Sequence, residues 1–317
     1  MFTLTQLEYL VAVDTYRHFG KAAESCFVTQ PTLSMQIKKF EEDLGVVVFD
    51  RTRQPLITTT IGQHLIEQAR IILAEAESLN SVIKEYKDEV SGVLRIGVIP
   101  TLAPYLLPLF IGNYKRSWPH IVLKVEEVTT MEIVEMLGKG LLDVGILVTP
   151  LKEDKIVEKP VFYEEMLVYA NKNHSLHQKS EITLADVATP DIWLLSDGHC
   201  FRDQVINLCS FASVKDENSG ANLPFQFEVG ALETLMNIVD IEGGITLVPE
   251  LAKITMSERR RENVLSFADF KPLREVSLVH MRHFAKNKQI ALLAQEVKKA
   301  VPTELLNPGR GKIVEWR

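Results

Sequence analysis

The sequence predicts an α/β chain in three parts: an N-terminal winged helix–turn–helix, a long linker helix, and a C-terminal domain of two α/β lobes. Three observations carry that prediction. Short apolar helical repeats fill residues 1–60, an unbroken heptad pattern runs from Leu65 to Val90, and after Ser91-Gly92 the pattern changes to alternating strands and helices. The chain has 317 residues, 46% of them hydrophobic and 24% charged, the composition of an ordinary soluble globular protein. The N-terminus lacks a basic stretch followed by an apolar run, and no segment of about 18 apolar residues occurs. A cytoplasmic location with no membrane attachment is expected, and in that reducing compartment a disulfide is transient rather than structural.

Leu4, Leu7, Leu10 and Val11 set the first helix, and Lys21 to Ser25 a second, shorter one. Phe27-Val28-Thr29 reads as the turn. The next helix runs from Gln30 to Leu44, with Thr29 as N-cap, Pro31 in the first turn and Gly45 as its stop. Leu33, Ile37, Phe40 and Leu44 form its apolar stripe and leave Gln30, Thr32, Ser34 and Lys38 on other faces. That is the make-up of a recognition helix for a DNA major groove, and the alternative is a helical module that binds protein. Val46 to Arg51 and Pro55 to Thr58 suggest a two-stranded wing carrying Arg51 and Arg53. The net charge of −7 does not advertise nucleic-acid binding, and residues 1–60 hold six Lys/Arg against seven Asp/Glu. The basic residues Lys38, Lys39, Arg51 and Arg53 nevertheless fall where phosphates would lie.

Residues 61–90 carry Leu65, Ala69, Ile72, Ala76, Leu79, Ile83, Tyr86 and Val90 in alternating steps of four and three, with no Gly or Pro from 63 to 91. The pattern predicts a helix that pairs with a second helix along one seam as a dimerisation element; the rival is a helix packed on its own domain. Beyond it, strands are expected at Val93–Ile99, Ile121–Val128, Leu142–Leu147, Trp193–Leu195, Phe225–Val229, Gly244–Val248 and Val276–Val279. Helices are expected through Tyr114 and at Met131–Gly138, Arg202–Phe211 and Leu232–Ile241. The alternation implies a mostly parallel sheet. Crossings between the lobes near Phe162–Ala170 and Phe267–Ser277 divide the domain into lobe I (about 91–163 and 268–300) and lobe II (about 164–267). Residues 301–317 show no periodicity and read as a loose tail.

Only three cysteines occur, and two, Cys200 and Cys209, lie nine positions apart. His199 and Arg202 stand beside Cys200, a setting that lowers a thiol pKa and favours the nucleophilic thiolate. Cys209 has apolar and small polar neighbours only. If the segment is helical, nine steps put the two side chains on opposite faces, roughly 13 Å apart along the axis. A disulfide needs α-carbons within about 7 Å, so joining them would require the helix to melt. The alternative is that both are small buried hydrophobes. Their spacing is not that of a structural zinc module, so no metal site is expected.

Phe19-Gly20-Lys21-Ala22-Ala23, Thr29-Gln30-Pro31-Thr32-Leu33-Ser34, Leu44-Gly45 and Phe49-Asp50-Arg51 together resemble the winged helix–turn–helix of LysR-type transcriptional regulators. The heptad helix and the two lobes complete that family's plan, with a regulatory domain like that of periplasmic binding proteins. The stretch Asp197 to Gln204 with Cys209, Ile99-Pro100-Thr101, and Gly244 to Pro249 resemble the family's peroxide-sensing members. That resemblance implies a redox-sensing activator of oxidative-stress genes that is not an enzyme and uses no cofactor. Hydrogen peroxide would oxidise Cys200, the peroxidatic cysteine, to a sulfenic acid, and Cys209 would resolve it as a disulfide. Thr101, Thr130, His199, Arg202, Asp203 and Arg274 would form the peroxide pocket, although either Thr129 or Thr130 fits the inward position. Gln30, Pro31, Thr32, Ser34, Lys38, Arg51 and Arg53 would contact promoter DNA. RNA polymerase, a glutaredoxin or thioredoxin reductant, and self-association as a dimer or tetramer are the implied partners. Cys26 reads as a buried packing residue. The rival readings are a metabolite-binding regulator with incidental cysteines and a thiol peroxidase with Cys200 as its turnover nucleophile.

Overall fold

The computed structural model describes residues 2–315 apart from 54, 87–89, 189–190, 214–229, 269 and 284–285. The strand expected at Phe225–Val229 therefore lies outside the described residues. Two compact units emerge: Met1–Val90 with Gly138–Leu141 and His283–Asn287, and the remainder of the chain.

The first unit contains helices α1 (Leu4–Tyr16), α2 (Phe19–Ser25) and α3 (Gln30–Leu44), strands β1 (Phe49–Asp50) and β2 (Ile57–Thr58), and helix α4 (Thr60–Tyr86). Helices α1, α2 and α3 each start on a cap. Thr3 and Gln6 form a reciprocal capping box, His18 Nδ1 accepts from the Gly20 and Lys21 amides, and Thr29 Oγ1 accepts from Thr32. Gly45 ends α3 at φ 66, a left-handed conformation that glycine adopts without Cβ strain. Leu33, Ile37 and Phe40 are buried against Leu7, Leu10, Val13 and Phe49, which turns the rest of α3 outward. The wing is an antiparallel pair with Phe49 opposite Thr58. Ala69, expected in the seam of a helix pair, is instead buried in this unit's own core, while Ile72 and Leu79 further along are 37% and 69% exposed.

In the second unit the elements are β3 (Gly92–Val98), α5 (Ala103–Ser117), β4 (Ile121–Glu127), α6 (Thr130–Gly138), β5 (Val144–Thr149) and β6 (Ile156–Ala170). There follow α7 (Leu184–Val187), α8 (Cys200–Ser213), α9 (Leu232–Glu242), β7 (Ile245–Pro249), α10 (Ala252–Thr255) and α11 (Glu258–Arg261). The last are β8 (Val264–Leu265), β9 (Pro272–Met281), α12 (Asn287–Ala300) and β10 (Lys312–Ile313). Among the described residues the sheet runs β4-β3-β5-β9-β6-β7, with β8 on β6 and β10 on β9. It is more mixed than expected. β3 pairs in parallel with β4 and β5, but β9 is antiparallel to β5 and β6, and β6 to β7. The two crossing segments are thus long strands paired with each other, with Glu164 opposite Arg274.

Two further expectations are corrected. Trp193–Leu195 forms no regular strand: Ile192 alone bridges to Ile245, and the Trp193 amide donates to the Ile245 carbonyl at 2.8 Å. Residues 301–315 are not loose. Val301, Leu305 and Val314 are buried, Lys312 and Ile313 pair in parallel with Pro272 and Leu273, and Arg310 bonds Glu250 at 2.8 Å. Apolar residues spaced irregularly along a segment give no period to read, yet Val301, Leu305 and Val314 are all buried.

Glycine at two points of the sheet sets where α6 lies. A Cβ on Gly97 would come within 2.9 Å of Ile133 Cγ1, and one on Gly145 within 2.5 Å of Ile133 Cγ2. The helix therefore packs directly on the β3 and β5 backbones, and its first residue, Thr130, is carried inward.

Candidate thiol site and DNA-reading surface

Helix α8 begins at Cys200, after a turn in which Gly198 takes φ 92. Cys200 and Cys209 are both free thiols on this one helix, so at 1.5 Å and 100° per residue their side chains leave opposite faces, roughly 13 Å apart along the axis. Their surroundings differ. Burial pushes the Cys200 thiol above its ordinary range, and three groups pull it back: the Thr130 hydroxyl, the Arg274 guanidinium and the Phe201 amide. The Asp203 carboxylate pushes it further up. At Cys209 burial drives the thiol up to about 11, and its sulfur lies 4.0 Å from the Val187 carbonyl.

The two threonines in sequence at 129 and 130 have separate tasks. Thr129 is engaged in a capping box: its amide and hydroxyl donate to Glu132 Oε2 at 2.8 and 2.7 Å. Thr130 is buried beside the Cys200 sulfur, near enough to favour the thiolate but short of hydrogen-bond geometry, so Oγ1 has no hydrogen-bond partner.

Arg274 organises the other side. Its Nε and Nη2 meet Glu164 Oε1 at 2.8 and 2.7 Å, Nη1 donates to Thr101 Oγ1 at 3.1 Å and Nη2 to the Thr101 carbonyl at 2.9 Å. The guanidinium also lies over the Phe201 ring, 5.0 Å from its centroid. Arg274 and Glu164 are fully buried. Burial pushes the Glu164 carboxyl up, while Arg274 and the Leu251 amide pull it down. Because Thr101 Oγ1 accepts from an arginine that cannot itself accept, the hydroxyl hydrogen remains available for a third group. Tyr105, whose hydroxyl donates to Glu233 at 3.1 Å, feels the same guanidinium, and burial raises its pKa.

The expectation that His199 and Arg202 lower the Cys200 pKa does not hold. Arg202 is two residues on, about 200° round the helix, and its Nε bonds Asp197 Oδ1 at 2.9 Å at a surface where Asp197 is 92% exposed. His199 is buried, and desolvation lowers its own pKa, with Glu132 opposing; it is the neutral imidazole at neutral pH. Thr101, Thr130, Asp203 and Arg274 are the expected residues that act on or connect to the sulfur's surroundings. Glu164, Phe201 and Tyr105 were missed. The signal for Glu164 was available: a Glu164-Glu165 doublet inside the apolar run Val161 to Val168 needs an internal cation.

On the DNA-reading unit, Gln30, Pro31 and Thr32 are exposed at the start of α3. Ser34 Oγ accepts from Arg51 at 3.3 Å, and Arg51 also bonds Glu41 at 3.0 Å and stacks 5.0 Å over Phe19. Arg51 thus ties the wing to the recognition helix. Lys38 and Arg53 are each 69% exposed with only loose pairs at 3.7 Å, to Glu42 and Asp50. Met35, 61% exposed on the same helix, and Phe27, 96% exposed in the turn before it, are apolar groups on this surface that went unread. Cys26 is half-buried, and burial raises its pKa.

A three-helix head with a strand wing, a long helix and a mixed α/β domain define a transcriptional regulator of one bacterial class. Residues 4–63 match the model of the bacterial regulatory helix-turn-helix proteins of the lysR family, and residues 87–302 match the LysR substrate binding domain. The chain belongs to the LysR family of DNA-binding transcriptional regulators. Within it, the chain is similar to the hydrogen peroxide-inducible genes activator of Haemophilus influenzae, 36% identical over 277 residues, 87% of this chain and 90% of that one. It is equally similar to the DNA-binding transcriptional dual regulator OxyR of Escherichia coli, 36% identical over 297 residues, 93% and 94% of the two chains. Among solved structures, a full-length OxyR variant from Pseudomonas aeruginosa superposes with a TM-score of 0.78 at 30% identity, covering 95% of this chain and 99% of that one. No described helix is long and apolar enough to cross a membrane.

Proposed function

We propose that this regulator senses hydrogen peroxide through Cys200 and activates oxidative-stress genes when oxidised. The observation that carries the reading is the convergence of the Thr130 hydroxyl, the Arg274 guanidinium and the Phe201 amide on the Cys200 sulfur, with a second thiol, Cys209, on the same helix. In the first step the Cys200 thiolate attacks one peroxide oxygen. The O–O bond breaks, hydroxide leaves and takes up a proton as water, and the sulfur becomes a sulfenic acid. In the second, α8 unwinds, the Cys209 sulfur gives up its proton and attacks the sulfenic sulfur, and a second water leaves as the disulfide forms. A dithiol of the glutaredoxin or thioredoxin type restores both thiols by exchange.

The raised Cys200 pKa assigns most of the rate to placement. Even a fully ionised thiol gains only about thirtyfold over an ordinary one at neutral pH. The remainder comes from holding the peroxide in line with the sulfur and stabilising charge on the departing oxygen. Thr130, with its unpartnered hydroxyl, and Thr101, whose hydrogen is freed by Arg274, supply the hydrogen bonds, with neutral His199 nearby as a further donor. Asp203 accepts a proton during transfer. Arg202 serves the turn before Cys200 rather than the sulfur.

Gln30, Pro31, Thr32 and Ser34 read promoter bases, and Lys38 and Arg53 hold phosphates, with Arg51 setting the wing. Ile72 and Leu79, one heptad apart and exposed, are the seam through which two α4 helices pair. Dimers associate further as tetramers, and the oxidised form engages RNA polymerase at the promoter. The deciding experiment is a mass-spectrometric thiol count before and after one equivalent of peroxide, paired with a DNA footprint in each state. Loss of two thiols from Cys200 and Cys209 with an altered footprint is expected. An unchanged count would end the proposal.

A further inference from the structure

Two side chains on α8 between the cysteines reach out of the helix to the same short segment. Gln204, fully buried, donates from Nε2 to the Val314 carbonyl at 2.8 Å, and Asn207 donates from Nδ2 to the Glu315 carbonyl at 3.0 Å. The segment is itself held on the opposite side. The Val314 amide donates to the Leu273 carbonyl at 2.8 Å, the Lys312 amide to that of Lys271 at 2.9 Å, and Lys312 and Ile313 pair with Pro272 and Leu273. Val314 is buried, and Lys152 bonds the Glu315 carboxylate at 2.7 Å. Gln204 is one helical turn from Cys200 on the same face. Leu273 is the residue before Arg274 on β9. One short segment therefore bridges the two elements that flank the sulfur.

We propose that Lys312–Glu315 is a positioning element of the thiol site: it holds the intercysteine stretch of α8 against β9 and releases it when that stretch unwinds. The inference rests on the reading that Cys200 joins Cys209. Gln204 and Asn207 both lie inside the stretch that must lose its helical form for the sulfurs to meet. Their bonds need helical spacing, because Gln204 and Asn207 are three apart on the helix yet address adjacent carbonyls. Unwinding spreads the two amides apart and removes two of the anchors on the segment at once. In the reduced protein the same bonds oppose unwinding, so the segment holds Cys200 where peroxide meets it and slows the second chemical step.

Hydrogen exchange on the full chain tests this directly. The Val314 and Lys312 amides should exchange slowly in the reduced protein and about tenfold or more faster once the disulfide has formed, the expected result of losing two anchoring bonds. Cys200→Ser treated with peroxide should show no change. If mass spectrometry finds the disulfide while exchange at 312–315 stays as slow as before, the positioning proposal fails and the redox reading stands. If no disulfide forms, both fall. A second measurement separates positioning from plain stability. A chain ending at Gly311 should form sulfenic acid several-fold more slowly and convert it to disulfide about tenfold faster. Opposite signs are the signature, and two steps slowed together, or neither changed, would overturn the proposal. Should that chain fail to fold, Gln204→Met with Asn207→Ala gives the same two-rate comparison.

Discussion

The two ends of α8 present the same atom in different company. At the Cys200 end a hydroxyl, a guanidinium and a backbone amide oppose the cost of burying charge. At the Cys209 end burial pushes the thiol up to about 11. Neither end makes an acidic thiol. Three groups are arranged round the Cys200 sulfur, so in the proposed mechanism its reactivity rests on where groups point more than on how readily the sulfur ionises.

The comparison is broken most completely by removing either atom. Cys200→Ser should abolish any peroxide-dependent change in the DNA footprint, whereas Cys209→Ser should accumulate a sulfenic acid that a nucleophilic trap captures, with no disulfide by mass spectrometry. The next largest effect falls on the Arg274–Glu164 pair. Arg274→Met strands a buried carboxylate and should cost about 3–5 kcal/mol in a denaturation experiment, and adding Glu164→Gln should recover much of that loss. The pH dependence of sulfenic acid formation sharpens the comparison further. A thiol held above its usual range is mostly protonated at neutrality, so the rate should rise about tenfold per pH unit between about pH 6 and 8 without levelling. In Thr101→Val that slope should persist with the whole line lowered about tenfold or more, and an unchanged rate would remove Thr101 from the placement of peroxide. The smallest effect belongs to Arg202→Ala. Its partner Asp197 is 92% exposed, so peroxide reactivity should change less than about twofold and stability by no more than about 1 kcal/mol.

Much of the head was legible because its signals are local. Thr29, Pro31 and Gly45 bracket α3, and the spacing of Leu33, Ile37 and Phe40 names the buried face. The thiol site was legible only as neighbours in sequence, and that misled at Arg202. A residue two positions along a helix points away, while Arg274, distant in sequence, is brought in by pairing of β9 with β6. Glu164 was hidden for the same reason: its partner is set by strand register, which no local pattern encodes. The segment after Pro302 was misread because a two-residue strand has no period, and its fit depends on long-range bonds to Leu273, Gln204 and Asn207. Trp193–Leu195 erred the other way, three apolar residues whose side chains pack without a ladder.

The starting point of α8 has one more consequence. Cys200 is the helix's first residue and Cys209 lies toward its other end. Aligned peptide dipoles leave a partial positive charge where a helix begins and a partial negative charge where it ends. The wound helix therefore favours negative charge on the Cys200 sulfur, while Cys209, four residues short of the helix end, gains no such help. In the proposed mechanism the helix opens as the disulfide forms, and that bias is erased with it. The bias returns only when the helix rewinds, so on that proposal recovery of sensing is completed by refolding and not by the arrival of electrons.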